Sequence, residues 1–412
     1  MTTGRALAGM GDNENPTTWS GIPYFLMEAG RRQNFLDGGL DLRVANFRSM
    51  RCWWQAGQFL RGAKPRGFQY SRRFLEELGN KAVAECQRAD LREIVSHYQL
   101  LPAASCLAPR SIRTSFYIDT TLHALFTTQR MWAWLDGRTA ADAVRREREE
   151  YHSALHVVTM ARWVRDSLRE VYGLSPERIH TVLAGANLPE DLVQLRLSNR
   201  GQRRSPERFT GRRPFRIGFT GKDWQRKGLP RLVGAVEILN RMGVPSEVAV
   251  IGKLPAHLST HRYVRWMGLI DKARDVGRFL EILESCDVGC APSYEEPMGI
   301  APLEYLRLGI PVVCTLVEGL IDVCEAAGGA SVAVHGEATA EELAVQLEAV
   351  ARDANRRAEM QDTAWNRKEH FTWDRAVREL RGIWETSGVG GAESASRPGF
   401  PHFAANSQVT EG

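Results

Sequence analysis

Residues 287–313 read "DVGCAPSYEEPMGIAPLEYLRLGIPVV", and they hold a strand, a loop, a helix and the start of a second strand. "DVGCAPS" is a short apolar run ending at Ser293, too short for a helix and suited to a buried strand. The chain then turns through Glu295, Glu296, Pro297, Met298 and Gly299, and a helix begins at Ile300. Pro302 is tolerated there because the amides of a helix's first turn have no intrahelical partner. Gly309 suits the helix's C-terminal cap, and Pro311 stops it before the strand "IPVVCT". Strand–helix–strand order implies parallel strands joined by a crossover. The loop 294–299 therefore carries unpaired N–H groups and the positive end of a helix dipole to a strand's carboxyl end, a place suited to phosphate. Glu296 and Glu304, eight positions apart, stand beside it. Carboxylates are good bidentate acceptors for vicinal hydroxyls, so a sugar and a ribose are the groups they suit.

Outward from this unit the alternation continues. Strands are predicted at 215–221 and 246–252, helices at 229–243 and 276–286, and helix throughout 340–385. The aliphatic content of these strands fits a sheet buried on both faces. In the first half the pattern predicts strands at 41–47, 92–98, 113–119, 154–160 and 178–184, with helices at 21–33, 70–88, 138–152 and 162–172. Between the halves, residues 196–216 carry eight arginines among Gly, Ser and Pro. The expected organisation is α/β throughout: two Rossmann-like domains with parallel sheets facing across a cleft, where ligands of open α/β sheets bind. The first domain covers 1–195, a basic linker 196–214, and the second domain 215–370. A C-terminal helix, 371–386, crosses back to the first domain, and 387–412, rich in Gly, Ser and Pro, reads as a disordered tail.

Composition bounds the rest. The 412 residues call for two cores rather than one. A formal charge of +5 favours anionic partners. Seven scattered cysteines with no C-x-x-C pair point to reduced thiols packed as small hydrophobes, not to a disulfide framework or a zinc site. The N-terminal stretch lacks a signal-peptide pattern and no 18-residue apolar run occurs, so the chain is expected in the cytoplasm, at most held to the inner face of the cell membrane.

A second cluster, "GFTGKDWQRKGLPRL" (218–232), ends the first strand of the second domain at Gly221 and offers Lys222, Arg226 and Lys227 before a helix. A lysine so placed can neutralise a diphosphate. The G-x-x-x-x-G-K-[ST] loop is absent, which argues against nucleoside-triphosphate hydrolysis.

With "FTGKDWQRKG", "VAVIG", "VRWMGLI", the E-x7-E stretch before "GIPVV" and "FTWDRAVREL" on the page, the second half resembles glycosyltransferase family 4, whose architecture is the two-Rossmann GT-B fold. The first half adds "WSGIPY", "SHYQLLPA", "SFYIDTT" and "YGLSPERIHTVLAGANL". The resemblance implies a retaining, metal-independent hexosyltransferase without a cofactor. It implies a nucleoside-diphosphate sugar as donor and a glycan or lipid-linked acceptor, in polysaccharide or glycoconjugate synthesis. By position Glu296 holds donor-sugar hydroxyls, Glu304 the ribose, and Lys227 the diphosphate. Lys222 stands where the family often has Arg, and Met298 where an aromatic is common. Gly221, Gly299 and Ile300 complete the donor side, and Gly21 lets backbone approach the diphosphate. Asp119 and His97 lie at strand ends facing the cleft, as candidates for contacting the transferred sugar or the acceptor. Glu295 competes with Glu296, and the interval to Glu304 selects Glu296. Same-face transfer leaves Glu296 and Glu304 as holding groups rather than nucleophile and acid/base; the latter pair is what a retaining glycosidase needs.

Each assignment has a plainer competitor. Glu304 alone would be an exposed first-turn residue favoured by the dipole. Lys227 alone would be a surface lysine. His97 can be a core histidine bonded to backbone, and Asp119 can cap the helix starting in "TTLHALF". Residues 43–73 carry eight Lys/Arg and no acid, interleaved with Trp53, Trp54, Phe59, Phe68 and Tyr70. Their plain reading is a solvated basic face over an aromatic core, and their functional reading is a surface for anionic lipid. Basic residues with aromatics also suit single-stranded nucleic acid, but no RNA-binding motif accompanies them, so nucleic acid is not an expected partner. A nucleotide-sugar epimerase or phosphorylase of the same fold, and a non-catalytic membrane-surface module, are the rival functions.

Overall fold

The computed structural model describes residues 4–128, 135–202 and 213–388. The first domain runs β1 (Arg5–Ala8), α1 (Ile22–Arg32), β2 (Gly38–Gly39), α2 (Phe47–Leu60), α3 (Arg72–Arg88), β3 (Glu93–Ser96), β4 (Arg113–Ile118), α4 (Leu122–Thr127), α5 (Gly137–Ser153), β5 (Val157–Thr159), α6 (Arg162–Glu170) and β6 (Ile179–Thr181). Helix α7 (Glu190–Gln202) follows. The second domain runs β7 (Phe215–Gly221), α8 (Leu229–Arg241), β8 (Ser246–Gly252), β9 (Val264–Gly268), α9 (Lys272–Glu284), β10 (Val288–Ala291), α10 (Ile300–Arg307), β11 (Val312–Leu316), α11 (Gly319–Ala327), β12 (Ser331–His335), α12 (Ala340–Arg352) and α13 (Ala354–Arg367). Helix α14 (Trp373–Gly388) ends the described chain.

Two six-stranded sheets result, ordered β2-β1-β3-β4-β5-β6 and β12-β11-β10-β7-β8-β9, and every strand pairing in both is parallel. In the second sheet the chain works outward through β7, β8 and β9, then restarts beside β7 with β10. The crevice between β7 and β10 is therefore a topological switch point, where open α/β sheets bind ligands. The corresponding point in the first sheet lies between β1 and β3. The strand β8, flanked by β7 and β9, is buried at all seven residues, as a strand covered by helices on both faces must be.

Several boundaries differ from the sequence expectation. No strand forms over 41–47. Its apolar alternation ends at Asn46, which adopts φ 57° and starts α2, and the second strand lies earlier, at Gly38–Gly39. The segment expected as linker from 196 is helical through Gln202, because Val193 and Leu197 face a buried seam, while 203–212 lie outside the described residues. Strands β9 and β12 and helix α11 are additions the pattern did not give. The C-terminal helix continues to Gly388, and the tail from 389 lies outside the described residues.

The domains do not merely face each other. One apolar cluster runs from Leu7 and Val158 through Val193 and Leu197 to Phe279 and Leu280. Helix α14 returns to the first domain: Arg32 pairs with Asp374 at 2.9 Å, the Trp384 ring meets Phe35 edge-on at 5.3 Å, and the Trp384 indole donates to the buried Glu93. Gly185 is a site of close approach, since a Cβ there would lie 2.3 Å from the Trp373 nitrogen. Arg307, 1% exposed, pairs with Glu190 of α7 and, at 3.3 Å, with Glu369. Among the described residues no helix is long and apolar enough to cross a membrane.

Removing Arg307 leaves Glu190, 18% exposed, and Glu369, 57% exposed, where water can reach both, so the cost falls below that of a fully buried pair. Arg307→Met is therefore expected to lower stability by about 1 kcal/mol in urea unfolding. A loss under about 0.5 kcal/mol would mean that the Glu190 and Glu369 contacts carry no weight at this junction.

Candidate active site

The loops that follow β7 and β10 meet at the switch point. Gly228, the N-cap of α8, adopts φ 73°, and a Cβ there would lie 1.9 Å from the Pro292 carbonyl oxygen. The Tyr294 amide donates to the Arg226 carbonyl at 2.9 Å, and the Arg226 guanidinium donates to the Glu295 carbonyl. Beneath them the buried Arg231 donates to the carbonyls of Pro292, Gly336 and Ala338 at 2.9, 3.0 and 2.7 Å. Such a scaffold fixes the loop side chains before any ligand arrives.

On it Lys227 Nζ donates to Glu296 Oε2 at 2.6 Å, Ser293 Oγ donates to the same oxygen at 3.2 Å, and an Arg226 nitrogen lies 3.8 Å away. Burial opposes ionisation of Glu296, but Lys227, Arg226 and Ser293 outweigh it and hold the carboxyl below its usual range. Glu296 is thus a buried anion compensated by two cations. Gly221 lies against the Lys227 stem, where a Cβ would meet Cδ at 2.4 Å, so only glycine lets that lysine cross the strand end. Lys222 is exposed and has no ion pair with Glu296; the second cation of the cluster is Arg226.

Gly299 adopts φ 84° as the N-cap of α10 and turns the first-turn amides, from Ile300 on, toward the crevice, while Met298 is buried at 3% exposure behind the loop. Glu304 lies one turn into α10 rather than in its first turn, and at 1% exposure it is buried, so the plain reading of an exposed first-turn acid does not hold. Its partner is Lys272 at the first position of α9, which also lies 4.4 Å from the Phe279 ring centre and 3.4 Å from the Asn187 carbonyl. Burial raises the Glu304 pKa, and Lys272 only partly opposes it. Lys272 has no mark in the sequence beyond a lysine after the capping Asp271, and sequence reasoning missed it.

Glu318 was missed as well. It precedes α11 with φ 43° and ψ −123°, a conformation that suits glycine and strains any other residue. Its carboxylate accepts from the Glu296 amide at 2.7 Å, while the Glu296 carbonyl accepts from Gly319 at 3.1 Å. Burial, with the charges of Glu295 and Glu296, pushes the Glu318 pKa up to about 7.

The first domain contributes differently. Gly21 caps α1 with φ 92°, and the preceding Trp19 and Ser20 also have positive φ, 47° and 60°, so the loop after β1 is tightly coiled at this sheet's switch point. His97, immediately after β3, is buried; its Nδ1 lies 3.0 Å from the Tyr117 carbonyl and its ring meets Trp19 edge-on at 6.3 Å. This is the bonding of the plain reading, although the ring sits at the switch point. Asp119 does not cap α4, because Thr121 does, accepting from the Ala124 amide at 3.2 Å. Contacts from α6 cross to the second domain: Trp163 Nε1 donates to the Pro297 carbonyl at 2.9 Å, and Arg162 pairs with Asp322 at 2.8 Å. The acid loop is therefore gripped from the opposite domain.

Residues 214–353 match the family described as Glycosyl transferases group 1. The chain is 27% identical over 320 residues to the D-inositol 3-phosphate glycosyltransferase of Corynebacterium aurimucosum, covering 73% of each chain. Two further relatives of that name, from Rhodococcus erythropolis and Corynebacterium kroppenstedtii, match over 50% and 51% of their length. Its fold is similar to sucrose-phosphate synthase from Thermosynechococcus elongatus (TM-score 0.67, 15% identity, 94% of this chain and 100% of that one). It is also similar to Anabaena Alr3699/HepE in complex with UDP and glucose (TM-score 0.62, 14% identity, 92% and 99%).

Glu318 supplies a test of the geometry. Its carboxyl titrates higher in the folded chain than the ordinary 4.5, so the folded state holds an extra proton between pH 4.5 and about 7. The stability this confers is fully present below 4.5 and is lost as pH rises through 7. Glu318→Gln keeps an acceptor for the Glu296 amide and removes the titration. The variant is expected to gain stability relative to the parent as pH rises from 4.5 to 8, read as urea midpoints at each pH; a difference independent of pH would refute the burial argument.

Proposed function

We propose that this chain, whose residues 214–353 match the group 1 glycosyltransferases and whose fold is GT-B, moves a hexose from a nucleoside-diphosphate sugar to an acceptor hydroxyl with retention of configuration. The observation that carries the reading is the buried Glu296 held by Lys227 and Arg226 beside the N-terminus of α10, with a second buried acid, Glu304, in that helix. Two cations and a helix dipole at a strand end suit a diphosphate, and two acids beside them suit the hydroxyls at its two ends.

In this mechanism Glu304 accepts from the ribose hydroxyls and Glu296 from the sugar. Lys227, with Arg226 and the amides after Gly299, takes up the charge that develops on the departing diphosphate. Such preorganised donors are the largest source of rate acceleration in charge-separating reactions. Diphosphate departure and acceptor attack occur on the same face, and the acceptor proton leaves with the diphosphate. The proposal requires neither metal nor cofactor, since the positive charge is built into the protein. Asp119 and His97, at strand ends of the first domain, are proposed to face the acceptor. The acceptor is a glycan or lipid-linked hydroxyl, in polysaccharide or glycoconjugate synthesis, at a membrane's edge. The curated relatives act on D-inositol 3-phosphate, which makes a small phosphorylated polyol the second acceptor to try.

Thermal unfolding with UDP, GDP, ADP and dTDP in turn tests the donor half. A nucleotide at a hundred times its dissociation constant adds about 2.7 kcal/mol to folded-state stability, and Glu304→Ala should abolish that gain for the one nucleotide that gives it. A Glu304→Ala protein with full donor affinity would overturn the site assignment. In turnover, Lys227→Ala should lower kcat by roughly 100- to 1,000-fold, with the anomeric configuration of the product read by NMR. Inversion would exclude the retaining mechanism, and product formed without acceptor would favour an epimerase.

A further inference from the structure

Of the two sequence readings of 43–73, the plain one places its aromatic residues in a core and the other on a lipid-facing surface, and the structure turns several of them outward. Helix α2 buries one residue, Met50. Trp54 and Phe47 lean inward and meet Phe68 at 5.9 and 5.3 Å. Trp53, Phe59 and Leu60 are 76%, 78% and 85% exposed. At 100° per residue these three, with the exposed Cys52 and Ala56, fall within one sector of about 120°, and that sector faces water. A solvent-facing helix normally shows polar residues there, and an apolar face of this size marks an interaction site.

Its surroundings are mostly basic: Arg73 and Lys81 share the groove beside Trp53 with one acid, Glu77. Arg48 and Arg51 flank the sector along the helix, and Arg61, Lys64 and Arg66 follow directly in the turn to α3. No acidic residue occurs between 43 and 73. The helix also has a defined place relative to the cleft. It follows β2, whose carboxyl end points to the cleft as those of its parallel neighbours do. The connecting residues lie against the loop after β1: Asp12 bridges Asp41, the Leu42 amide donates to the Gly11 carbonyl at 2.8 Å, and Arg43 lies 3.8 Å from Asp12.

We propose that the outward face of α2 inserts into an anionic bilayer, with Trp53, Phe59 and Leu60 at the headgroup–acyl boundary and the flanking arginines and lysine on acidic headgroups. An interfacial helix has this composition: aromatic and leucine residues on one face, basic residues beside it. A second protein would need acidic groups set around an apolar patch, whereas an anionic bilayer presents both along any helix laid on it. The arrangement places the mouth of the cleft at the membrane surface, where a lipid-linked acceptor resides. This last point rests on the glycosyltransferase reading; the membrane contact itself does not.

The test is co-sedimentation of the full chain with vesicles of 30% phosphatidylglycerol in phosphatidylcholine and with pure phosphatidylcholine. Binding is expected to the anionic vesicles only, and to fall as salt rises. The triple variant Trp53→Ser/Phe59→Ser/Leu60→Ser should bind more than ~100-fold more weakly. Neutralising Arg48 or Arg51 singly should weaken binding ~5-fold each. All changed side chains are exposed at the helix surface, and nucleotide-dependent thermal stabilisation of each variant shows that its fold and donor site persist. A parent chain that stays in the supernatant overturns the proposal, as does a triple variant that sediments like the parent. A parent that is dimeric, with a monomeric triple variant and no vesicle binding by either, assigns the face to self-association and also overturns it. Vesicle binding in a protein that no nucleotide stabilises would leave this inference standing and remove the donor reading.

Discussion

The contact on which the site depends is the 2.6 Å ion pair between Lys227 and Glu296, made by two loops that are 69 residues apart in sequence. It exists because β7 and β10 are adjacent although α8, β8, β9 and α9 separate them in the chain. Parallel pairing brings both carboxyl ends to one edge, and two glycines let the loops close. Gly228 admits the Pro292 carbonyl, and Gly221 admits the lysine stem. A Cβ at either position would push the cation away from the acid. Glu296 would then be a buried charge with Arg226, 3.8 Å away, as its main remaining compensation, a state that proteins relieve by protonating the group or exposing it.

The same pair explains the asymmetry between the two acids. Glu296 has two cations and a hydroxyl and stays ionised despite burial, whereas Glu304 has Lys272 beside it and Lys227 farther off, and burial prevails. A site with one committed anion and one readily neutralised carboxyl is suited to hold hydroxyls of different parts of one ligand. The strained Glu318 adds a third acid, one that binds backbone rather than ligand, and it joins α11 to the acid loop. Because Trp163 and Arg162 reach the same loop and helix from the first domain, the geometry of Glu296 is set by both domains together.

What the sequence by itself determined follows from local physics. Gly309 and Pro311 end α10, Gly299 starts it, and the aliphatic runs at 215–221 and 246–252 can only be strands buried on both faces. Glu296, Glu304 and Lys227 were legible because their glycine- and proline-punctuated loops mark strand ends, and strand ends are where such sheets bind ligands. The short strands of the first domain, two to six residues long, left weaker signals, and 41–47 mimicked one.

Only the tertiary structure decided the partners. Lys272 comes to Glu304 across 32 positions and Glu318 to Glu296 across 22, and no spacing rule links such pairs. It also decided which cation serves Glu296: Lys222 and Arg226 are equivalent by composition, but the helical turn before Gly228 points only Arg226 inward. It turned Trp53 and Phe59 to solvent while keeping Trp54 inside, a choice that depends on which side of α2 the rest of the domain occupies. The period of a helix gives its faces, and the packing of the other elements determines which face meets water.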